Sequence, residues 1–273
     1  MEEPSAESIP EVGAKFDLSG DVGVVTGAAR GIGRMVAFTL ASAGADLVIS
    51  DIRNDQLDRV ASEAERQFNV AVHAVEADVT SESDVVSLVD ATESEFGQVD
   101  ILVNNAGGGG FVNTAEMPTT EWERVIDLNL TSTFLCSKAA FPSLKDGGRV
   151  VNVSSIAGVF GATTMSHYGA AKAGVINLTR SLANEWKEHD VRVNAVAPIY
   201  PILTPGSATF LDVDNDSVYA REGVDRDVGS PAEVADTVLF LVSQASSFIT
   251  GETIMLGSLP SQEAIIGYHF DGI

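Results

Sequence analysis

The stretch DVGVVTGAARGIG, Asp21 to Gly33, decides how this chain folds. Its first half, Asp21 to Thr26, is a β-branched run that predicts a strand, and apolar residues at helical spacing follow to about Ala45. The segment Thr26 to Gly33, with Gly27, Gly31 and Gly33, therefore lies between a strand and a helix. Glycines there let the backbone turn tightly and approach a pyrophosphate, whose charge meets free N–H groups at the helix N-terminus. Alone, such a cluster is equally a tight turn. Asp51 adds weight, because it ends the second predicted strand 24 residues beyond Gly27, where a carboxylate accepts from a ribose 2′-hydroxyl. That carboxylate repels the 2′-phosphate of NADP and so favours NAD. Arg30, inside the turn, and Arg53, two residues past Asp51, are the counterweights, since either can pair with a phosphate. Surface solubility is the plainer reading for Arg53.

Outward from this turn the same alternation repeats. Strands are expected at Ala45–Ser50, Val70–Ala77, Val99–Asn104, Arg149–Ser154, Val191–Val196 and Thr253–Leu256. Helices are expected at Asp55–Gln67, Ser81–Phe96, about Thr120–Leu144, Ser166–His189 and Pro231–Ser246. The pattern predicts an α/β fold, a doubly wound parallel sheet with helices on both faces. An acidic leader, residues 1–15, precedes a single dinucleotide-binding domain, residues 16–273. Periodicity breaks over about 198–230, which reads as a substrate lid, and a tail follows over 257–273.

The chain has 273 residues and a formal net charge of −23. So large an acid excess excludes a nucleic-acid binder of the ordinary basic kind, which needs clustered Lys and Arg. No apolar run reaches the roughly 18 to 20 residues that span a bilayer, so no membrane association is expected. A single cysteine, Cys136, makes neither an intrachain disulfide nor a metal site. The first ten residues have no basic region and no apolar core of a signal peptide, so the expected location is the cytoplasm. Acidic residues spread along a chain with only 5 lysines suggest adaptation to concentrated salt, where screening removes self-repulsion. An ordinary acidic surface is the alternative.

Tyr168 and Lys172 are four residues apart at the start of a predicted helix, so their side chains share a face. An ammonium nearby lowers a tyrosine pKa towards neutrality, where the phenol works as a general acid or base. Ser155, at the end of a predicted strand, is placed to bond a substrate oxygen. From about Phe16 to Leu256 the sequence resembles the short-chain dehydrogenase/reductase family. The resemblance is carried by the turn Thr26–Gly33, by Asp78-Val79, by Asn104-Asn105-Ala106-Gly107, by Asn129, by Ser154-Ser155 and by Tyr168 to Lys172.

The resemblance implies a Rossmann fold and a catalytic set of Asn129, Ser155, Tyr168 and Lys172. In that set Tyr168 moves the proton and Ser155 orients the substrate. Lys172 holds the nicotinamide ribose and depresses the tyrosine, and Asn129 supports a water-linked proton relay. It further implies cofactor contacts by Ile32, Asp78, Val79, Asn105, Ala106 and Gly107, with Pro198 and Thr204 beyond the sixth strand, and a homotetramer. The alternatives are that Asn104 and Asn105 merely cap a strand and that Asp78 caps a helix. The chain departs from the family pattern in three places. Ile199 follows Pro198 where glycine is usual, and Thr204 arrives one residue late. The last strand ends Leu256-Gly257-Ser258, ahead of a tail with Tyr268, His269 and Phe270. The run Gly107 to Gly110 beside the expected site implies a loop of unusual freedom.

Candidate substrate contacts are Phe111, Phe160, Thr163, His167 and Tyr200, beside Ser155 and Tyr168; His167 has a structural role as its plainer reading. The leader Phe16 to Gly20 resembles that of sugar and sugar-acid dehydrogenases of the family. The expected activity is NAD-dependent oxidation of a secondary alcohol on a sugar or sugar acid, or the reverse. The alternatives are an NADPH-dependent 3-oxoacyl thioester reductase and a non-catalytic dinucleotide sensor.

Overall fold

The computed structural model describes residues 11–199, 201, 202, 204 and 229–257. The first ten residues, Tyr200, most of the expected lid and the tail beyond Gly257 lie outside the described residues. Strands β1 (Val22–Thr26), β2 (Asp46–Asp51), β3 (Val72–Glu76), β4 (Ile101–Asn104), β5 (Arg149–Val153), β6 (Arg192–Pro198) and β7 (Thr253–Leu256) form one sheet. All pairings are parallel, in the order β3-β2-β1-β4-β5-β6-β7. Register places Val24 opposite Val48 on one side and opposite Leu102 on the other. Both faces are covered, which is why β1, β4 and β5 are nearly continuous Val/Ile/Leu runs.

One face carries α1 (Gly31–Ser42), α2 (Asn54–Phe68) and α8 (Pro231–Val242), packed over Val25, Leu47 and Val103. The other carries α3 (Glu82–Phe96), α5 (Ser132–Leu144) and, beyond the one-turn α6 (Ala157–Phe160), the far end of α7 (Ser166–Glu185), packed over Val24, Leu102 and Val193. Helix ends follow local chemistry. Ser81 caps α3 by accepting from the Asp84 amide, and Ser230 with Glu233 makes a capping box at the start of α8, where Pro231 occupies the first turn.

Chain order reverses between β1 and β4, and a crevice opens there at the carboxyl ends of the strands, where ligands bind in open α/β sheets. The long helix expected over Thr120–Leu144 is interrupted. Between α4 (Thr119–Ile126) and α5 the residues Asp127–Thr131 form a π-helical turn, and Asn129 sits in it, fully buried. Such turns occur mostly at functional sites.

Ile199, in the place where glycine was expected, is 1% exposed, and its amide donates to the Leu256 carbonyl at 2.9 Å, continuing the β6–β7 ladder. The base of the expected lid is drawn together by a parallel bridge between Ile202 and Gly229.

Candidate active site

A cavity of about 610 Å³ runs along the carboxyl ends of the strands from β3 to β6, within the range typical of small-molecule sites. One end is the glycine turn. Gly27 has φ +66°, and a Cβ on it would lie 2.8 Å from Ala106 Cα; the turn tolerates no side chain there. The Asn105 side chain donates to the Thr26 carbonyl at 2.9 Å and to the Gly27 carbonyl at 3.1 Å, locking the end of β4 to the turn. Helix α1 begins directly after the turn, its N-cap residue Arg30 makes no side-chain cap, and a helix N-terminus in this place is suited to a pyrophosphate.

Asp51 closes the far side of this end. It is 7% exposed and accepts from the Ala29 amide at 3.2 Å and the Arg53 amide at 3.1 Å, while the Arg53 guanidinium sits 3.2 Å away. Asp78 and Val79 line the same region, with Asp78 accepting from the Thr80 amide and hydroxyl in a turn ahead of α3. Thr204, despite its late position, lies over Gly31, its methyl 3.2 Å from where a Cβ would stand. Steric cradle, donor set and a carboxylate at ribose distance together fit the adenosine and diphosphate of a dinucleotide.

The other end holds the candidate reactive groups. Tyr168 enters from the first turn of α7, Lys172 from the next turn on the same face, and Ser155 from the loop after β5. Burial pushes the Tyr168 pKa up, and the neighbouring Ser155 hydroxyl pulls part of the rise back. Lys172 is buried, and burial drags its ammonium down to about 8. Its Nζ donates to the Val153 carbonyl at 2.8 Å and stands 5.6 Å from the centre of the Tyr168 ring. The expected lowering of Tyr168 by Lys172 is therefore not the dominant effect here. The ammonium faces the ring and is bonded elsewhere, so desolvation outweighs it.

Asn129 grips Gly108, from the loop after β4, by two hydrogen bonds and donates a third, 2.9 Å, to the Val125 carbonyl. The relay expected of Asn129 thus has a backbone partner in the glycine tract. That tract is less free than its composition implies, because the Val112 amide also ties its far end to the Thr164 carbonyl at 2.8 Å.

The remaining candidates divide. Arg30, Gly31, Ile32, Ala106, Gly107, Pro198, Phe111 and Phe160 all line the cavity. Gly33 lies behind the turn, packed on Gly27. Thr163 is exposed outside the cavity, and Tyr200 is outside the described residues. His167 also lies off the cavity: it is fully buried between α7 and α4, its Nε2 3.8 Å from Glu121, as its plainer structural reading anticipated. Asn104 serves the core, donating to Ser137 and Asn152. Leu128, Ile156, Met165 and Ile202 line the cavity without having been singled out from sequence. An isolated apolar residue in an unassigned loop gives no periodic signal.

A dinucleotide cradle joined to a Ser–Tyr–Lys group defines an oxidoreductase site of the kind that moves hydride and proton together. The chain belongs to the short-chain dehydrogenase/reductase family. A family profile described as enoyl-(acyl carrier protein) reductase matches residues 27–257. A Mycobacterium tuberculosis protein, (5R,7aS)-5-hydroxy-7a-methyl-1-oxo-2,3,5,6,7,7a-hexahydro-1H-indene-carboxyl-CoA reductase, is 42% identical over 87% of this chain and 92% of its own length. The cis-4-hydroxycyclohexanecarboxylate dehydrogenase of Sinomonas cyclohexanicum is likewise 42% identical, over 84% of this chain and 92% of its own. The solved structure of a 7α-hydroxysteroid dehydrogenase complexed with NADH and 7-oxo glycochenodeoxycholic acid superposes with a TM-score of 0.81 at 33% identity, covering 91% of this chain and 97% of that one. Like these relatives, the protein is an oxidoreductase acting on hydroxyl or keto groups, and its cofactor is of the NAD(P)(H) type. Among the described residues no helix is long and apolar enough to cross a membrane.

Proposed function

We propose that this protein is an NAD-dependent dehydrogenase that interconverts a secondary alcohol and its ketone on an apolar, alicyclic frame. The observation that carries this reading is the composition of the substrate end. Beside Ser155, Tyr168 and Lys172 the described lining there is Phe111, Ile156, Phe160, Met165 and Ile202, while the other charged side chains, Arg30, Asp51, Arg53 and Asp78, gather at the adenosine end. A polyol or sugar acid, the expectation from sequence, needs several polar or cationic partners to replace its hydration. Beyond the reactive groups the described wall at that end offers no charged side chain, and Ser154, which also lines it, is already bonded to the Lys172 carbonyl. The ring-bearing substrates in the names of the relatives from Mycobacterium tuberculosis and Sinomonas cyclohexanicum agree with an apolar frame.

The dinucleotide, when bound, supplies the hydride acceptor or donor. The chain supplies the rest. Ser155 Oγ orients the substrate oxygen beside Tyr168, and Tyr168 Oη takes the alcohol proton or returns it to the ketone. Lys172, charged below about pH 8, holds positive charge near the phenolate as it forms. Asn129 fixes the glycine tract beside them. The Asp51 carboxylate at the end of β2 favours NAD over NADP through repulsion of a 2′-phosphate. A 3-oxoacyl thioester reductase is the second reading, favoured by the 38% identity over 88% of this chain with a 3-oxoacyl-[acyl-carrier-protein] reductase of Aquifex aeolicus. Residues 16–273 act as one catalytic domain, assembled as a tetramer and adapted to salt, and the surplus of carboxylates supports that last point.

The test is initial rates with NAD and NADP in dilute buffer and in 2 M KCl, across cyclohexanol, decalols, sugars, sugar acids and a 3-oxoacyl thioester. Turnover of the alicyclic alcohols with NAD is expected, strongest in KCl. Turnover of sugars alone, or of the thioester with NADPH alone, overturns the reading.

A further inference from the structure

Gly107 to Gly110 form a stretch of cavity wall without side chains, and two of its glycines have a plain reason to be there. A Cβ on Gly107 would lie 2.6 Å from Asn129 Oδ1 and 3.2 Å from Lys172 Nζ, and one on Gly109 would lie 3.0 Å from the Tyr168 ring. Gly108 has no such reason. A Cβ on it would meet nothing within 4 Å, and its φ is not in the left-handed region. Nor does it give the loop freedom, since Asn129 holds its amide at 3.0 Å and its carbonyl at 2.7 Å. It does line the cavity, whereas Gly110, equally unencumbered, does not. A residue that neither packing nor backbone conformation requires to be glycine, held rigidly in the wall of a binding cavity, acts through the space it leaves.

We propose that Gly108 is a specificity-determining residue, whose missing side chain widens the substrate end to admit a second ring fused to the one that carries the reacting carbon. This rests on the apolar, alicyclic reading above. A side chain at position 108 would start from a fixed backbone and fill the space the second ring needs, leaving a single six-membered ring more room to shift. Overfilling a fixed cavity is felt steeply, because packed walls do not yield.

The experiment is calorimetric titration of wild type, Gly108→Leu, Gly108→Ala and Gly110→Leu with cyclohexanone and with 1-decalone, oxidised NAD present so that the bound ketone has no hydride to accept, alongside NADH affinity and kcat/KM for both ketones with NADH. Gly108→Leu is expected to weaken decalone binding at least tenfold and cyclohexanone binding less than threefold, with Gly108→Ala between it and wild type. Gly110→Leu tests for loop stiffening and should leave the ratio of the two affinities unchanged. Equal losses for the two ketones, no loss, or a loss of NADH affinity in place of ketone affinity overturns the assignment. So does a Gly110→Leu protein that behaves like Gly108→Leu. Wild type that binds neither ketone instead removes the alicyclic reading itself, a result distinct from an unaltered ratio.

Discussion

Asn129 and Gly108 are joined twice: the Gly108 amide donates to Asn129 Oδ1 at 3.0 Å, and Asn129 Nδ2 donates back to the Gly108 carbonyl at 2.7 Å. A buried amide side chain thereby acts as a clamp on the backbone that passes Lys172 and Tyr168. Asn129 sits in the π-turn, and its Nδ2 also donates to the Val125 carbonyl four residues back. Replacing Asn129 by Ala leaves the Gly108 amide and carbonyl without partners, at about 1–3 kcal/mol. A melting temperature lower by several degrees and a kcat reduced roughly tenfold or more are expected. Wild-type kcat in Asn129→Ala would show that the clamp has no bearing on turnover.

In the proposed mechanism Tyr168 carries the proton, so Tyr168→Phe should lower kcat by about 10³-fold, within the range of general acid–base contributions. Because the change removes only the phenol hydroxyl and leaves the glycine turn and Asp51 untouched, the affinity for NADH, read by fluorescence titration, should hold. Retained turnover would remove Tyr168 from the mechanism.

Lys172 makes a prediction with a definite sign. Between about pH 8 and its ordinary value of 10.5 the folded chain holds this proton less than the unfolded chain does. Stability from this group therefore rises with pH across that window, and the full burial penalty is present below pH 8. Lys172→Met should stabilise the fold at pH 7 by up to about 3 kcal/mol, less whatever is lost at the Val153 carbonyl, and the gain should shrink by pH 10. Melting curves at both pH values decide the matter, and an equal gain at each would contradict it.

Asp51 both accepts from the Ala29 amide and holds Arg53. Asp51→Ser removes the charge opposed to a 2′-phosphate and frees the Arg53 guanidinium to meet one. The preference for NAD over NADP, as the ratio of kcat/KM values, should fall at least about tenfold, equivalent to about 1.4 kcal/mol. An unaltered ratio would move cofactor discrimination to another residue.

Much of the fold was legible because β-branched runs, glycine turns and helical spacing are local signals. Strands β1 to β7 stand within about two residues of where their patterns place them, and the turn after β1 and the carboxylate closing β2 follow from the same reading. The π-turn over Asp127–Thr131 was not legible, since its apolar spacing matches an uninterrupted helix to within one residue. The burial of His167 and the seating of Ile199 in the β6–β7 ladder depend on elements distant in sequence.

By itself the sequence determined the alternation of strands and helices, the glycine turn after β1 and the spacing of Tyr168 and Lys172, because each is fixed by residues within one or two helical turns. Only the tertiary structure decided what those groups face. It turned Lys172 towards the Val153 carbonyl, put Asn129 against Gly108, sent His167 away from the cavity and brought Ile156, Met165 and Ile202 into its wall. Those outcomes depend on which surfaces meet across the sheet and between loops, and burial and packing set them where no local pattern records them.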